Sequence, residues 1–366
     1  MRVCILGDAK SVHLQRIVPG LVERGLDVHV ISHKPEAIPG ATVSKFEVPP
    51  FGIGYPHRYY RRQTQYLKRL MRRFDVVHVH FLSDWGFTPE IMADGCFVAS
   101  PWGSDVVPPP GENPPGADLI ASRTTMLRHA DCVTSLGPRF ARMMADFARI
   151  DVERIDLLPL GVDLELFKPA EQCMVESNDR PFRVGFFKGF REVYGATYLM
   201  RAIPTVVDVY PRTRFHMIGD GPQLDRCKEL SGFYNVDGHI KWIRRQPHAN
   251  LPNYLAGWDL TVIPSVCESF GVAALESSAM RVPVIASDVG GLPDTVLHNE
   301  TGLLVPSEAP EQLADAIITL LGDSERRQRM GDAGREFVQR DYDWQEILDK
   351  WVTTYGKALD RRAIAV

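Results

Sequence analysis

Two glutamates eight positions apart, Glu268 and Glu276, flank a stretch whose residue types suit a phosphate and a diol together. An apolar run, Leu260 to Ile263, is short enough for a buried parallel strand, and Pro264 and Ser265 end it. A loop, Val266 to Phe270, leads to Gly271, and Val272 to Met280 are good helix formers. Strand, glycine-bearing loop and helix gather unpaired backbone N–H groups and the positive end of a helix dipole at one point. A phosphate binds at such a point, and Gly271, with no Cβ, lets it approach the backbone. At about 1.5 Å of rise per residue, Glu276 lies about 7 Å along the axis from the helix start. That distance separates a bound diphosphate from its ribose, and a carboxylate accepts the two hydroxyl hydrogen bonds of a 2′,3′-diol. Glu268 falls on the other side of the phosphate, within reach of a second polyol such as a sugar. The plainer alternative is that both glutamates are solvated surface residues.

The context favours the first reading. Pro264-Ser265, Glu268, Phe270-Gly271, Glu276, Ala279-Met280, Pro283-Val284-Ile285 and Gly290-Gly291 follow one another in order. This resembles the donor signature of the retaining glycosyltransferases of family 4, which have the GT-B fold: a P-S strand end, E-x7-E, a small-residue helix, G-x-P-V-I and G-G. Gly302-Leu303-Leu304-Val305 continues the likeness. Arg281 stands where the family usually has glycine, a change that a turn tolerates. The resemblance implies donor contacts at Ser269, Phe270, Gly271 and Val272, and at Glu276, with Glu268 in the catalytic set.

The remaining elements fit two domains, the organisation expected for 366 residues. Arg2 to Gly7 and Asp27 to Ser32 read as strands around a helix from His13 to Arg24, the start of a doubly wound α/β half. Asp75 to Phe81, Cys96 to Trp102, Cys132 to Leu136 and Ile155 to Leu160 supply further strands. Leu158 to Pro169 resembles the family's interdomain segment, and residues 170–180 read as linker. The second half opens with Arg183 to Phe187 and continues with strands Thr213 to Ile218 and Ile240 to Arg244 and a helix Asn253 to Trp258. Helices follow at 310–321, 325–340 and Trp344 to Leu359. The expected arrangement is α/β, GT-B: two Rossmann-like doubly wound domains with an interdomain active-site cleft. The N-terminal acceptor domain is 1–168, the linker 169–181, the donor domain 182–343, and 344–366 a helix crossing back to the first domain.

Other candidate residues follow from these strand ends. Lys188 fits the position of the family's first diphosphate cation. The second cation is missing, since Tyr194 stands there, and Arg191 is its possible substitute. A cation matters here because it stabilises charge that grows as the glycosidic bond breaks. Gly219 and Gly221 form the family's G-x-G turn, and Ile243 and Arg244 lie where the base is received. In the first half the loop GDAKSVH lacks G-x-G-x-x-G, which disfavours a dinucleotide oxidoreductase. Ser11-Val12-His13-Leu14-Gln15-Arg16 is similar to one family form, so Lys10, Ser11 and His13 are candidate cleft contacts; a plain polar loop with a Ser11 helix cap is the alternative. Family members often read His-Gly-x-Asp where this chain has Trp102-Gly103-Ser104-Asp105. Trp102 packs on a sugar face but does not titrate, so any histidine role passes to His13 or His80. Asp105 either assists the acceptor hydroxyl or caps a turn.

Residues 58–73 hold seven basic side chains and no acidic one, interleaved with aromatic and aliphatic residues at helical spacing. They form either an ordinary helix with a solvated basic face or a surface for anionic lipid or a phosphate-bearing acceptor. The proline-rich segment 108–116 reads as a loop. Net charge of −4 argues against a nucleic-acid partner. The six cysteines are scattered without a C-x-x-C pair, no signal peptide is apparent and no apolar stretch approaches 18 residues. A cytoplasmic protein, in place at the inner face of the membrane if the basic helix binds lipid, fits these features. Asp341-Tyr342-Asp343 reads as structural, and no metal and no cofactor are expected. The expected function is sugar transfer from a nucleotide diphosphate sugar, UDP before GDP, to a glycan, lipid-linked or small-molecule acceptor hydroxyl. The alternatives are a nucleotide-sugar epimerase, or a non-catalytic binding or scaffold protein of the same fold.

Overall fold

The computed structural model describes residues 1–46, 57–108, 115–169 and 180–365, with side chains omitted at 57–60 and 365. The proline-rich segment at 109–114 and the linker at 170–179 lie outside the described residues. The chain divides into two compact units, Met1–Pro159 with Glu346–Val366, and Leu160–Gln345.

The first unit holds a seven-stranded parallel sheet: β1 (Arg2–Leu6), β2 (Asp27–Ser32), β3 (Thr42–Lys45), β4 (Val76–His80), β5 (Cys96–Ser100), β6 (Cys132–Ser135) and β7 (Ile155–Leu157). Their order is β3-β2-β1-β4-β5-β6-β7. The apolar runs of β1, β4 and β5 are buried on both faces, as a sheet covered by helices requires. Edge strand β3 carries no buried residue, so it lacks the apolar run that marks its neighbours. The basic stretch is a helix, His57–Arg73. Leu67, Leu70 and Met71 enter the core, whereas Arg61, Arg62, Arg69, Arg72 and Arg73 are exposed. The final helix, Trp344–Ala365, packs in this unit through Trp351 and Tyr355, both fully buried. Its Leu348 lies where a Cβ on Gly20 would fall, so two helices meet closely at a glycine.

The second unit holds a six-stranded parallel sheet: β8 (Arg183–Phe187), β9 (Arg214–Ile218), β10 (Ile240–Ile243), β11 (Leu260–Ile263), β12 (Val284–Ser287) and β13 (Gly302–Val305). Their order is β10-β9-β8-β11-β12-β13. Residues from Leu160 to Phe167 group with this compact unit. Val162 bridges to Asp343 and the Phe167 ring is fully buried, contacts that hold this segment against the second sheet's helices. The expected helix Asn253–Trp258 is Leu251–Leu255, because Pro252 suits a first turn. Arg281 has φ 59°, the left-handed turn conformation that the family's glycine adopts without strain.

In each sheet the strand order reverses once, between β1 and β4 and between β8 and β11. Open α/β sheets bind ligands outside the carboxyl ends of the strands at such a reversal. The two reversals are therefore the places to look for chemistry.

Candidate functional site

At the second reversal, β8 ends at Phe187, Lys188 follows it, and the loop after β11 carries Glu268. The Lys188 ammonium donates to Glu268 Oε2, and both side chains are largely buried. Ser265 Oγ lies 3.5 Å from the same oxygen. The Lys188 ammonium also sits 4.5 Å from the centre of the Tyr194 ring. The position where a second cation was expected thus holds an aromatic face that receives the first cation. Arg191 is exposed at the start of the short turn Glu192–Tyr194.

Glycines fix the backbone around this pair. Gly219 has φ 151° and Gly221 φ 145°, and added Cβ atoms would meet the carbonyl oxygens of Lys188 at 2.2 Å and Phe190 at 2.7 Å. The G-x-G turn therefore packs against the Lys188–Phe190 loop and sets where Lys188 emerges. Gly219 N donates to Ile243 O, and Gln246 Nε2 donates to Arg244 O, which closes the turn after β10. Gly290 and Gly291 do the same for Glu268: added Cβ atoms would lie 1.8 Å from Glu268 O and 2.2 Å from Ser269 O.

The loop leads into the helix Val272–Ala279 through Gly271, at φ 102°. A Cβ there would strike Leu292 at 2.7 Å and Thr295 at 2.9 Å. Close packing and left-handed backbone thus require this glycine. No side chain caps the helix start. The Phe270 ring is buried against Tyr342, so any donor contact at 270 falls to backbone. Ser269 and Val272 are half-buried beside it.

Glu276 points into the interior at 5% exposure, which removes the reading of it as a solvated surface residue. Its Oε1 is 2.6 Å from His248 Nε2. His248 was not singled out from the sequence. It lies in a short Gln-Pro-His loop after β10 with no periodicity to mark it, and only the fold brings it 28 positions forward to Glu276.

The first reversal has a different character. Asp105 is fully buried. Its oxygens accept from Leu82 N at 2.8 Å, Trp102 N at 2.9 Å and Gly103 N at 2.8 Å. Burial pushes its carboxyl above the usual range, against the pull of those N–H groups. It organises the turn after β5, and the catalytic reading of Asp105 is corrected to that structural one. His80 is also buried, with Nε2 3.3 Å from His78 Nδ1, and burial and then the neighbouring His13 lower it to about 3. It lies in the core in place of the expected cleft position. His78 is held in turn by Tyr355 Oη at 2.9 Å and Ser100 Oγ at 2.6 Å. The Trp102 ring stands between those of His13 and His80, at 5.0 and 5.4 Å. Ser11 caps the helix Val12–Glu23 through His13 N, and exposed Lys10 is 3.9 Å from Glu36. At the D-x-D, Asp343 accepts from Gln345 N and Asp341 pairs with Arg340.

Two family descriptions match this chain: Glycosyltransferase Family 4 over residues 11–166, and Glycosyl transferases group 1 over 170–337. The chain belongs to glycosyltransferase family 4. A D-inositol 3-phosphate glycosyltransferase of Nocardia farcinica is 27% identical, covering 96% of this chain and 86% of the relative. One from Corynebacterium glutamicum is 31% identical over 57% of this chain and 53% of its own length. A GDP-mannose-dependent alpha-(1-6)-phosphatidylinositol monomannoside mannosyltransferase of Mycobacterium tuberculosis is 31% identical over 54% of each. The chain thus spans about half the length of several curated relatives that it matches. The fold is shared with the sucrose-phosphate synthase of Thermosynechococcus elongatus, at a TM-score of 0.80, 21% identity and 98% coverage of both chains. It is shared also with Anabaena Alr3699/HepE, solved in complex with UDP, at a TM-score of 0.76, 16% identity and coverage of 97% and 100%. The fold is GT-B, with two Rossmann-like units.

Proposed function

We propose that the chain transfers a sugar, with retention of configuration, from a nucleotide diphosphate sugar to an acceptor hydroxyl. The observation that carries this reading is the meeting of Lys188 and Glu268 at the β8/β11 reversal, beside the uncapped start of Val272–Ala279. The diphosphate binds the helix start, where N–H groups lack acceptors, and takes Lys188 as its counter-charge. Glu276 accepts the ribose hydroxyls. Glu268 accepts a sugar hydroxyl, and the turn at Ile243 and Arg244 receives the base. As the bond between the anomeric carbon and the diphosphate breaks, negative charge grows on the leaving oxygen and Lys188 stabilises it. The acceptor attacks the oxocarbenium-like centre from the same face, and a phosphate oxygen takes its proton. Helix dipole and lysine supply the positive charge, so the transfer runs without a metal.

UDP is the favoured base and GDP the second; one structural neighbour holds UDP and one relative is GDP-mannose-dependent by name. The relatives named for inositol phosphate and phosphatidylinositol mannoside support an anionic or lipid-linked acceptor. His13 and Trp102, at the first reversal, are its assigned contacts. A thermal-shift screen with UDP, GDP, ADP and dTDP, with and without EDTA, tests the donor site. Stabilisation by one nucleotide, unchanged by EDTA, is expected; no stabilisation by any of them would favour the scaffold reading.

The exposed arginines of His57–Arg73 make peripheral contact with anionic lipid, since a cationic helix face is attracted to such surfaces. Among the described residues no helix is long and apolar enough to cross a membrane. Reversing charge at Arg69, Arg72 and Arg73 should reduce binding to phosphatidylglycerol-containing vesicles while leaving the unfolding temperature near wild type. Wild-type indifference to such vesicles would end the idea.

A further inference from the structure

We propose that His248 is a positioning residue for the nucleotide's ribose: it fixes the Glu276 carboxylate in the orientation that accepts the two ribose hydroxyls. The inference rests on the donor-site reading above. A carboxylate only accepts, so the ring's Nε2–H donates to Oε1 across the 2.6 Å contact. One oxygen is thereby engaged and the carboxyl plane is set. A glutamate with three rotatable bonds otherwise loses side-chain freedom each time it meets a ligand.

His248 is itself held. Its ring lies 5.2 Å from that of Phe167, which is fully buried. Phe167 is tied to the helix that carries Glu276 by one guanidinium: Arg335 Nη1 donates to Phe167 O at 2.7 Å and to Ala279 O at 2.9 Å. Ala279 ends the helix Val272–Ala279, where a cation complements the dipole. The frame is therefore closed: Phe167 supports His248, His248 holds Glu276, and Arg335 joins the end of the Glu276 helix back to Phe167. All five residues lie within the second unit. The His248 side chain keeps about a quarter of its surface exposed, so the pair is accessible from solvent and is not sealed in the core.

The test is calorimetric binding of UDP and GDP and of their 2′,3′-dideoxy forms to wild type, His248→Ala and His248→Gln, with thermal unfolding of each. Wild type should prefer the ribose form of its nucleotide by about tenfold or more, as hydrogen bonds to a charged group are worth. His248→Ala should bring that ratio within about twofold of unity while leaving the dideoxy affinity unchanged. His248→Gln, which returns an N–H donor, should restore most of the preference. A His248→Ala protein that keeps the full preference overturns the inference. So does one that weakens both forms equally with a lowered unfolding temperature, since that is a structural role alone. A wild type that binds the ribose and dideoxy forms equally refutes the Glu276 assignment beneath it, and one that binds neither these nor ADP or dTDP refutes the donor site.

Discussion

The two strand-order reversals share one topology and hold opposite chemistry. At the β1/β4 reversal the polar groups are buried and bonded mainly to one another and to backbone, although His80 Nδ1 is buried without a hydrogen-bond partner. Asp105 takes three backbone N–H groups, and His78 lies among His80, Ser100 and Tyr355. At the β8/β11 reversal the polar groups are held in opposed pairs, Lys188 with Glu268 and His248 with Glu276, each pair keeping some contact with solvent. A buried carboxylate that accepts three backbone N–H groups is a structural element, because releasing it leaves those N–H groups unpaired. A lysine facing a single carboxylate is able to exchange that partner for a phosphate. Position in the fold therefore marks where a site can be, and the bonding state of the side chains says whether one is there.

Paired substitutions break this comparison most sharply. Lys188→Ala should lower turnover by roughly 100- to 1,000-fold, the effect of removing one group that stabilises transition-state charge. Asp105→Ala should do the reverse in kind. It leaves three buried N–H groups unpaired and should destabilise the first unit by about 2–4 kcal/mol, visible in denaturant unfolding. If Asp105→Ala instead folds like wild type and is inactive, the contrast between the two reversals collapses.

Acid sharpens the same contrast with a smaller effect. His78 and His80 are held below their ordinary range by burial, His80 to about 3. In the unfolded chain an imidazole titrates near about 6.5, so below that pH the unfolded state binds protons that the folded state does not. The stability of the first unit is then fully present above that value and is lost as pH falls toward about 3. Each pH unit in this window costs up to about 1.4 kcal/mol per histidine. Unfolding monitored from pH 7 to pH 5 should show the first unit weakening, and His80→Phe should flatten the dependence. An unaltered slope in that variant would place the proton uptake elsewhere.

Much of the fold was legible because it rests on local rules. Short apolar runs such as Val76–His80 and Leu260–Ile263 mark buried parallel strands, and the spacing of Leu67, Leu70 and Met71 marks a helix face. The edge strand Thr42–Lys45 escaped notice because it buries nothing. In the candidate site, residue type and order together with the family resemblance picked out Lys188, Glu268, Glu276 and the glycines between them. The reason for each glycine was not readable: Gly219, Gly271 and Gly290 are required by neighbouring backbone and side chains that approach from elsewhere in the chain.

The sequence by itself determined most of the strands and the residues at their ends, which follow from spacing along one chain, and its resemblance to a known signature pointed to the family. Only the tertiary structure decided which of those residues are spent internally. Asp105 and His80 have the same ionisable chemistry as Glu268 and His248, and nothing along the chain distinguishes them. The difference is made by burial and by distant partners: Leu82 and Gly103 around one carboxylate, and Lys188, 80 positions away, against the other. Hydrogen-bond satisfaction is a property of groups brought together through space, and that is why the sequence proposed Asp105, His80 and Glu268 alike, passed over His248, and left the fold to separate them.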